Sequence, residues 1–222
     1  MKLAYLLTAS LIFAPTFVTA EEKNPEDPTK IITRVGLGYS NSSLRLSGSL
    51  GLDEARMINA TITDDASEWS LGGSWLFDAG IVNFDFRKSD FGDGSESTTY
   101  SVGTYVPTEE FGFAPWGWMP FITGGYSYND GHTITDGVKE TFSGHSGYLG
   151  MFAIKPINDV FTGIAFAGTT QGQNSLSSYW GGGGISYRVN ENNSFNAMGV
   201  AVDNSIYGSD SRIVFNYRYE FN

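Results

Sequence analysis

Few residues in this chain can do acid–base or nucleophilic chemistry. Among 222 residues there are two histidines and no cysteine. His145 stands directly before Ser146, and His132 lies a short way upstream. A serine beside a histidine is the raw material of a nucleophile and its base. Both fall at the start of an alternating segment, where neighbouring side chains point to opposite faces, so His145 and Ser146 cannot serve one another. His132 could join either only through the folding of its loop. No serine, histidine and carboxylate fall together at the spacings a triad needs, and the chain is not read as an enzyme. The minor alternative is a lipid A-modifying activity. Without cysteine there are no disulfides, thiolate metal sites or cysteine nucleophiles. No loop has the spacing of a calcium site, so neither metal nor cofactor is expected. The 13 Lys+Arg face 24 Asp+Glu, a formal charge of −11, which excludes a nucleic-acid binder that works by neutralising phosphates.

The other polar candidates share one placement. Arg34, Arg45, Asn83, Asp85, Arg87, Arg188, Arg218 and Glu220 each stand on the polar side of a run that alternates with apolar residues. The last run is the clearest: Ile213, Phe215, Tyr217, Tyr219 and Phe221 share one face, and Asn216, Arg218 and Glu220 share the other. Val82, Phe84 and Phe86 likewise oppose Asn83, Asp85 and Arg87, and Val35, Leu37 and Tyr39 oppose Arg34, Gly36 and Gly38. Beyond Ile31 no segment sustains apolar residues at helical spacing, so the elements that position these side chains are strands.

The N-terminus reads differently. Met1-Lys2, the apolar stretch Leu3–Phe13 and the small residues before Glu21 have the form of a cleaved secretory signal over residues 1–20. The stretch falls short of the roughly 20 residues a membrane-spanning helix needs. Residues 21–30, EEKNPEDPTK, are charged, carry two prolines and have no periodicity, and are expected to form a flexible leader. Residues 31–222 form the folded unit.

Alternation alone fits two architectures. In a soluble sandwich the apolar face points inward; in a transmembrane barrel it meets lipid and the polar face lines the interior. Export without cysteine, runs of about 9–11 residues, and aromatics at strand ends favour the barrel. Those aromatics are Tyr39, Trp69, Phe77, Trp118, Tyr128, Tyr179, Trp180 and Phe221. Short connections at 78–80, 156–159 and 190–193 alternate with longer polar ones at 88–97, 129–140, 168–175 and 203–211, with 107–117 the exception. Residues 41–67 decide the count. Leu44, Leu46, Leu50 and Leu52 alternate in one run and Ile58, Ala60 and Ile62 in another, and both fit as strands. The expectation is an all-β, antiparallel up-and-down transmembrane barrel of twelve strands, with ten as the alternative if 41–67 is one large loop.

With its signal-like start, its alternation over 31–221 and the ending Asn216-Tyr217-Arg218-Tyr219-Glu220-Phe221, the chain resembles the small bacterial outer-membrane barrels. That broad group holds the OmpA- and OmpX-type barrels and the narrow oligosaccharide porins. The resemblance implies a Gram-negative outer membrane with both termini in the periplasm. It also implies an assembly signal at Tyr217, Tyr219 and Phe221 read by the assembly machinery, and outer-membrane lipid and lipopolysaccharide as surroundings. The function it implies is a narrow passive channel for small solutes, or a structural or adhesion-type barrel with no open pore. Barrel closure should bring Arg34 and Glu220 together at the periplasmic end. Gly36, Gly38, Gly72, Gly103, Gly125, Gly147 and Gly163 are expected to face inward, leaving room for a lumen or for long side chains from neighbouring strands.

Overall fold

Apolar and small polar residues in alternation, punctuated by Gly, Asp and Asn, favour extended chain, and extended chain needs a neighbour for every amide. The computed structural model describes residues 24–40, 43–206 and 208–221. The expected signal (1–20), leader residues 21–23 and Asn222 lie outside them. The strands are β1 (Thr33–Ser40), β2 (Ser43–Gly51), β3 (Arg56–Thr63), β4 (Glu68–Phe77), β5 (Gly80–Asp90), β6 (Glu96–Pro107), β7 (Met119–Thr135), β8 (Val138–Pro156), β9 (Phe161–Gly172), β10 (Ser177–Arg188), β11 (Asn193–Asn204) and β12 (Gly208–Phe221). Each pairs antiparallel with its sequence neighbours, and β1 closes on β12, so no edge is left unpaired. The count is twelve, because residues 43–51 and 56–63 pair as β2 and β3. An even number of strands leaves both termini at one end of the barrel, here the near end.

Outward positions carry the apolar half of the alternation. Leu37, Leu46, Leu71, Phe84, Leu149 and Ile213 are each about half exposed or more. Water cannot stabilise so continuous a belt, whereas hydrocarbon can. The register then sets aromatic rings side by side around the belt. Trp69, Phe86, Tyr100, Tyr128, His145 and Tyr126 form a chain of ring contacts across β4 to β8 toward the far end. Trp75–Phe77, Phe161–Tyr187, Phe195–Tyr217 and Tyr219–Phe221 gather toward the near end. These are the positions of two aromatic girdles. Trp180 is a correction to the sequence reading: its indole lies against Gly150 and Gly168, inside the wall.

Loop lengths also depart from expectation. Residues 129–140 are not a loop; β7 and β8 run on as a paired ribbon to Thr135 and Val138. The turn is Asp136-Gly137, with φ of +52° and +78°. Asp-Gly supplies the two left-handed residues of a type I′ turn, whose twist matches the strands, so the hairpin need not open. The longest connection among the described residues, 108–118 between β6 and β7, is instead at the near end and holds two short 3-10 turns. Length therefore does not separate the two ends of this barrel.

The interior is not uniformly polar. Ile81, Phe121, Ile154 and Ile164 are buried inside the near-end half of the wall formed by β5 and β7–β9. Around Phe121, Ile154 and Ile164 pack Tyr105, Met119, Phe152, Phe166 and Met198. The sequence shows this as runs apolar on both faces, such as Met151-Phe152-Ala153-Ile154 and Ile164-Ala165-Phe166-Ala167. Alternation breaks there because both faces of those strands avoid water.

Candidate functional site: the lumen and its near-end mouth

Opposite that apolar wall, the inner faces of β1–β5 and β12 form a polar track. Register parity turns all eight expected lumen residues inward: Arg34, Arg45, Asn83, Asp85, Arg87, Arg188, Arg218 and Glu220. Arg34 stands directly across from Glu220. Toward the far end Arg45 meets Glu68 at 2.8 Å, and Arg87 lies 3.9 Å from Glu68 and 3.7 Å from Asp85. Lower down, Thr61 bonds Ser70 (2.9 Å), Asn59 bonds Ser74 (3.1 Å), and Ser74 donates to Asn83 (2.7 Å). These bonds tie adjacent strands together across the inner surface while leaving the charged heads in the lumen.

The near-end mouth departs most from the sequence reading. Residues 24–30, expected to be flexible, cross it and are anchored to three strands. Asn24 Nδ2 donates to Thr162 Oγ1 of β9 at 3.2 Å. Ser186 Oγ of β10 donates to Glu26 Oε1 at 2.6 Å, and Arg218 of β12 pairs with the same oxygen. Lys30 Nζ meets Glu220 Oε2 at 3.0 Å. Asp27 takes two bonds of 2.7 Å from Thr29, from its amide and its hydroxyl, closing a local turn. Composition suggested disorder because it cannot register that the barrel offers buried cations: Glu26 finds in Arg218 what bulk water otherwise supplies.

Glycines and aromatics shape the bore between. Tyr148 leans over Gly103 and Gly125, and Phe166 over Gly182. Of the glycines expected inward, Gly36, Gly38, Gly72, Gly103 and Gly125 are inward. Gly147 and Gly163 are not, because they share parity with the outward Leu149 and Ala165. In Gly181–Gly184 the inward pair makes room for Phe166 and Met198. His145 faces outward with its ring on Tyr126 and Tyr128, while Ser146 points inward to Ser127 Oγ at 2.8 Å. His132 hydrogen-bonds the Gly94 carbonyl at 2.9 Å. Among the described residues, neither histidine side chain is hydrogen-bonded to a serine. The expected assembly-signal residues Tyr217, Tyr219 and Phe221 all face outward, and Tyr217 Oη donates to Asn193 Oδ1 at 2.6 Å.

Two cavities frame the lumen. At the far end a space of about 230 Å³ is lined by hydroxyls and amides including Ser127, Asn129, Ser146 and Thr170, together with the apolar Phe142, Leu176 and Ile206. At the near end a space of about 950 Å³ lies between residues 24–29, the 3-10 turn at Thr108–Phe111 and the β8–β9 turn. Three far-end and near-end loop carboxylates are held below their ordinary range. Asp65 is lowered to about 2 by hydrogen bonds from Ser67 and Thr63, Asp53 by its bond to Arg56, and Asp93 by the Ser95 amide.

No family profile and no curated protein matches the sequence. Solved structures do match in fold. The translocator domain of the autotransporter NalP from Neisseria meningitidis is 13% identical, with a TM-score of 0.60 over 88% of this chain and 90% of that one. An outer-membrane channel from Pseudomonas putida F1 is 12% identical, with a TM-score of 0.56 over 90% and 100%. The NanC porin is 12% identical, with a TM-score of 0.52 over 86% and 99%. The fold is that of the outer-membrane β-barrels; at such identities the likeness is one of backbone architecture.

Proposed function

We propose that the chain is a bacterial outer-membrane barrel acting as a narrow passive channel for small solutes, its termini in the periplasm. One observation carries this reading. Charged side chains enclosed by the ring of strands stay open to water, Arg45 at 35%, Asp85 at 33% and Arg87 at 47% side-chain exposure. A filled core would bury such groups or exclude them. The far-end loops and the near-end mouth both carry an excess of carboxylates, which favours cations at either entrance. Lipid and lipopolysaccharide surround the belt in this reading, and the outward Tyr217, Tyr219 and Phe221 belong to the segment the assembly machinery reads. No covalent chemistry is part of it: His145→Ala should leave the lipid A mass profile of the host membrane unchanged.

A closed structural barrel is the second reading, favoured by the segment 24–30 that is ion-paired across the mouth. Planar-bilayer recording separates the two. Small discrete steps, larger when residues 24–30 are removed, support the channel. A folded barrel silent in both forms supports the closed one.

A further inference from the structure

The strands reach unequal heights at the far end, and the inequality leaves one edge open. β7 and β8 pair out to Thr135 and Val138, whereas β8 and β9 pair only as far as Ser146 and Gly172. The side of β8 that β9 covers lower down is bare beyond that point. Backbone direction fixes which groups it shows. The Gln173 amide donates to the His145 carbonyl at 2.9 Å, and the His145 amide donates to Gln173 Oε1 at 3.3 Å. Odd-numbered residues of β8 therefore turn their N–H and C=O toward this side. Asn174 Nδ2 donates to the Ser143 carbonyl at 2.8 Å. Past it, the backbone N–H and C=O of Lys139 and Thr141 meet no partner among the described residues, and residues 138–141 are exposed. The other edge of the same ribbon is closed: the Ile134 amide donates to Ser95 Oγ at 2.9 Å, and His132 Nε2 bonds the Gly94 carbonyl at 2.9 Å. A second feature lies beside the open edge. The far-end cavity of about 230 Å³ adjoins it through Phe142, Ser143 and Gly144, with half-buried Leu176 and Ile206 as apolar wall. Glu140 and Phe142 share the parity of the inward Ser146 and so stand on the cavity's side of the ribbon.

We propose that residues 139–143 of β8 capture an extended, basic segment of another protein as an added strand. An unpaired edge is a template for a further strand; backbone bonds supply affinity, and a pocket under alternate side chains supplies specificity. Here valine-sized side chains would overhang the cavity and a lysine would lie beside Glu140. The hairpin carries Asp130, Asp136 and Glu140 against Lys139, so a basic segment is attracted and an acidic one repelled. A second copy in the same membrane does not fit the edge. A two-fold axis along the membrane normal would run two β8 edges the same way with identical residues level, whereas parallel pairing staggers the facing residues. The edge is present whether or not the lumen conducts, so failure of either experiment leaves the other interpretable.

Fluorescence anisotropy on the whole barrel in phosphatidylcholine nanodiscs tests it, with empty nanodiscs as reference. The probe is a short, labelled peptide alternating threonine and valine and carrying two lysines. Saturable binding is expected, weakened at least about tenfold when glutamates replace the lysines. Methylating alternate peptide amides is the sharper arm: the set that faces β8 should abolish binding, and the intervening set should leave it nearly intact. Thr141→Pro removes an N–H that points away from β7. It should weaken binding at least about tenfold and keep the heat-modifiable gel shift of the folded barrel, while Thr141→Val binds as the parent does. Equal effects of the two methylation sets, no saturable binding, or an unaffected Thr141→Pro variant would overturn the proposal. So would self-association of peptide-free barrels in detergent that Thr141→Pro abolishes, since it would seat a second copy on this edge.

Discussion

At the residue scale the near-end mouth is governed by Glu26. Its carboxylate and the Arg218 guanidinium are both deeply enclosed, with side-chain exposures of 6% and 13%. Breaking such a pair strands a charge, whereas replacing both partners with apolar groups does not. Glu26→Gln should therefore lower unfolding stability by about 3 kcal/mol in a urea series in detergent, and Glu26→Leu/Arg218→Met by clearly less. A loss in the double variant as large as in the single would contradict this. Glycine parity makes a second residue-scale prediction. A Cβ on Gly150 would meet the Trp180 ring at 2.5 Å, whereas on Gly147 its nearest neighbour is 3.7 Å away. Gly150→Ala should cost on the order of 1–3 kcal/mol and shift Trp180 fluorescence, while Gly147→Ala stays within about 0.5 kcal/mol. Asp65 supplies a pH test. Its folded carboxyl titrates near 2, below the ordinary 3.8, so its contribution is whole above about pH 4 and fades as pH falls through 2. An NMR titration of the Asp65 carboxyl should find that midpoint, and Asp65→Asn should remove the stability gain without a shift elsewhere.

At the element scale the β7–β8 hairpin and the segment 24–30 show what the sequence does and does not convey. Cysteine placed at Gly137 should react with an impermeant maleimide on whole cells, and cysteine at Asn158 only after the outer membrane is opened. The reverse pattern would invert the barrel. Strand existence was legible almost throughout, because an apolar belt with a wet interior imposes period two on β1, β5 and β12. Even the short β3 was legible, since Ile58, Ala60 and Ile62 alternate as an outward face must. The hairpin is less legible, because polar residues that leave the membrane as paired ribbon look like loop residues. Asp136-Gly137 was the available signal, a two-residue turn dipeptide inside a supposed twelve-residue loop. The apolar inner wall was written in the unbroken runs of β8 and β9, which alternation-seeking overlooks. The anchoring of Glu26 was not legible, since its partners lie 160 and 192 residues away.

At the scale of the whole molecule, the barrel joins a hydrocarbon-compatible exterior to a largely polar interior that carries one apolar patch, in the near-end half of β5 and β7–β9. Of the candidate site, the inward set from Arg34 to Glu220 followed from parity alone, while the near-end cavity depends on turns and a segment that parity does not describe. The division of inside from outside underlies both the channel reading and the membrane placement. Five tryptophans allow it to be measured. Chains retaining Trp75 alone or Trp180 alone, with the others changed to Phe, can be refolded into bilayers whose acyl chains are brominated. Trp75 should be strongly quenched by the bromines and Trp180 scarcely at all. Strong quenching of Trp180 with Trp75 untouched would turn the wall inside out and contradict the account.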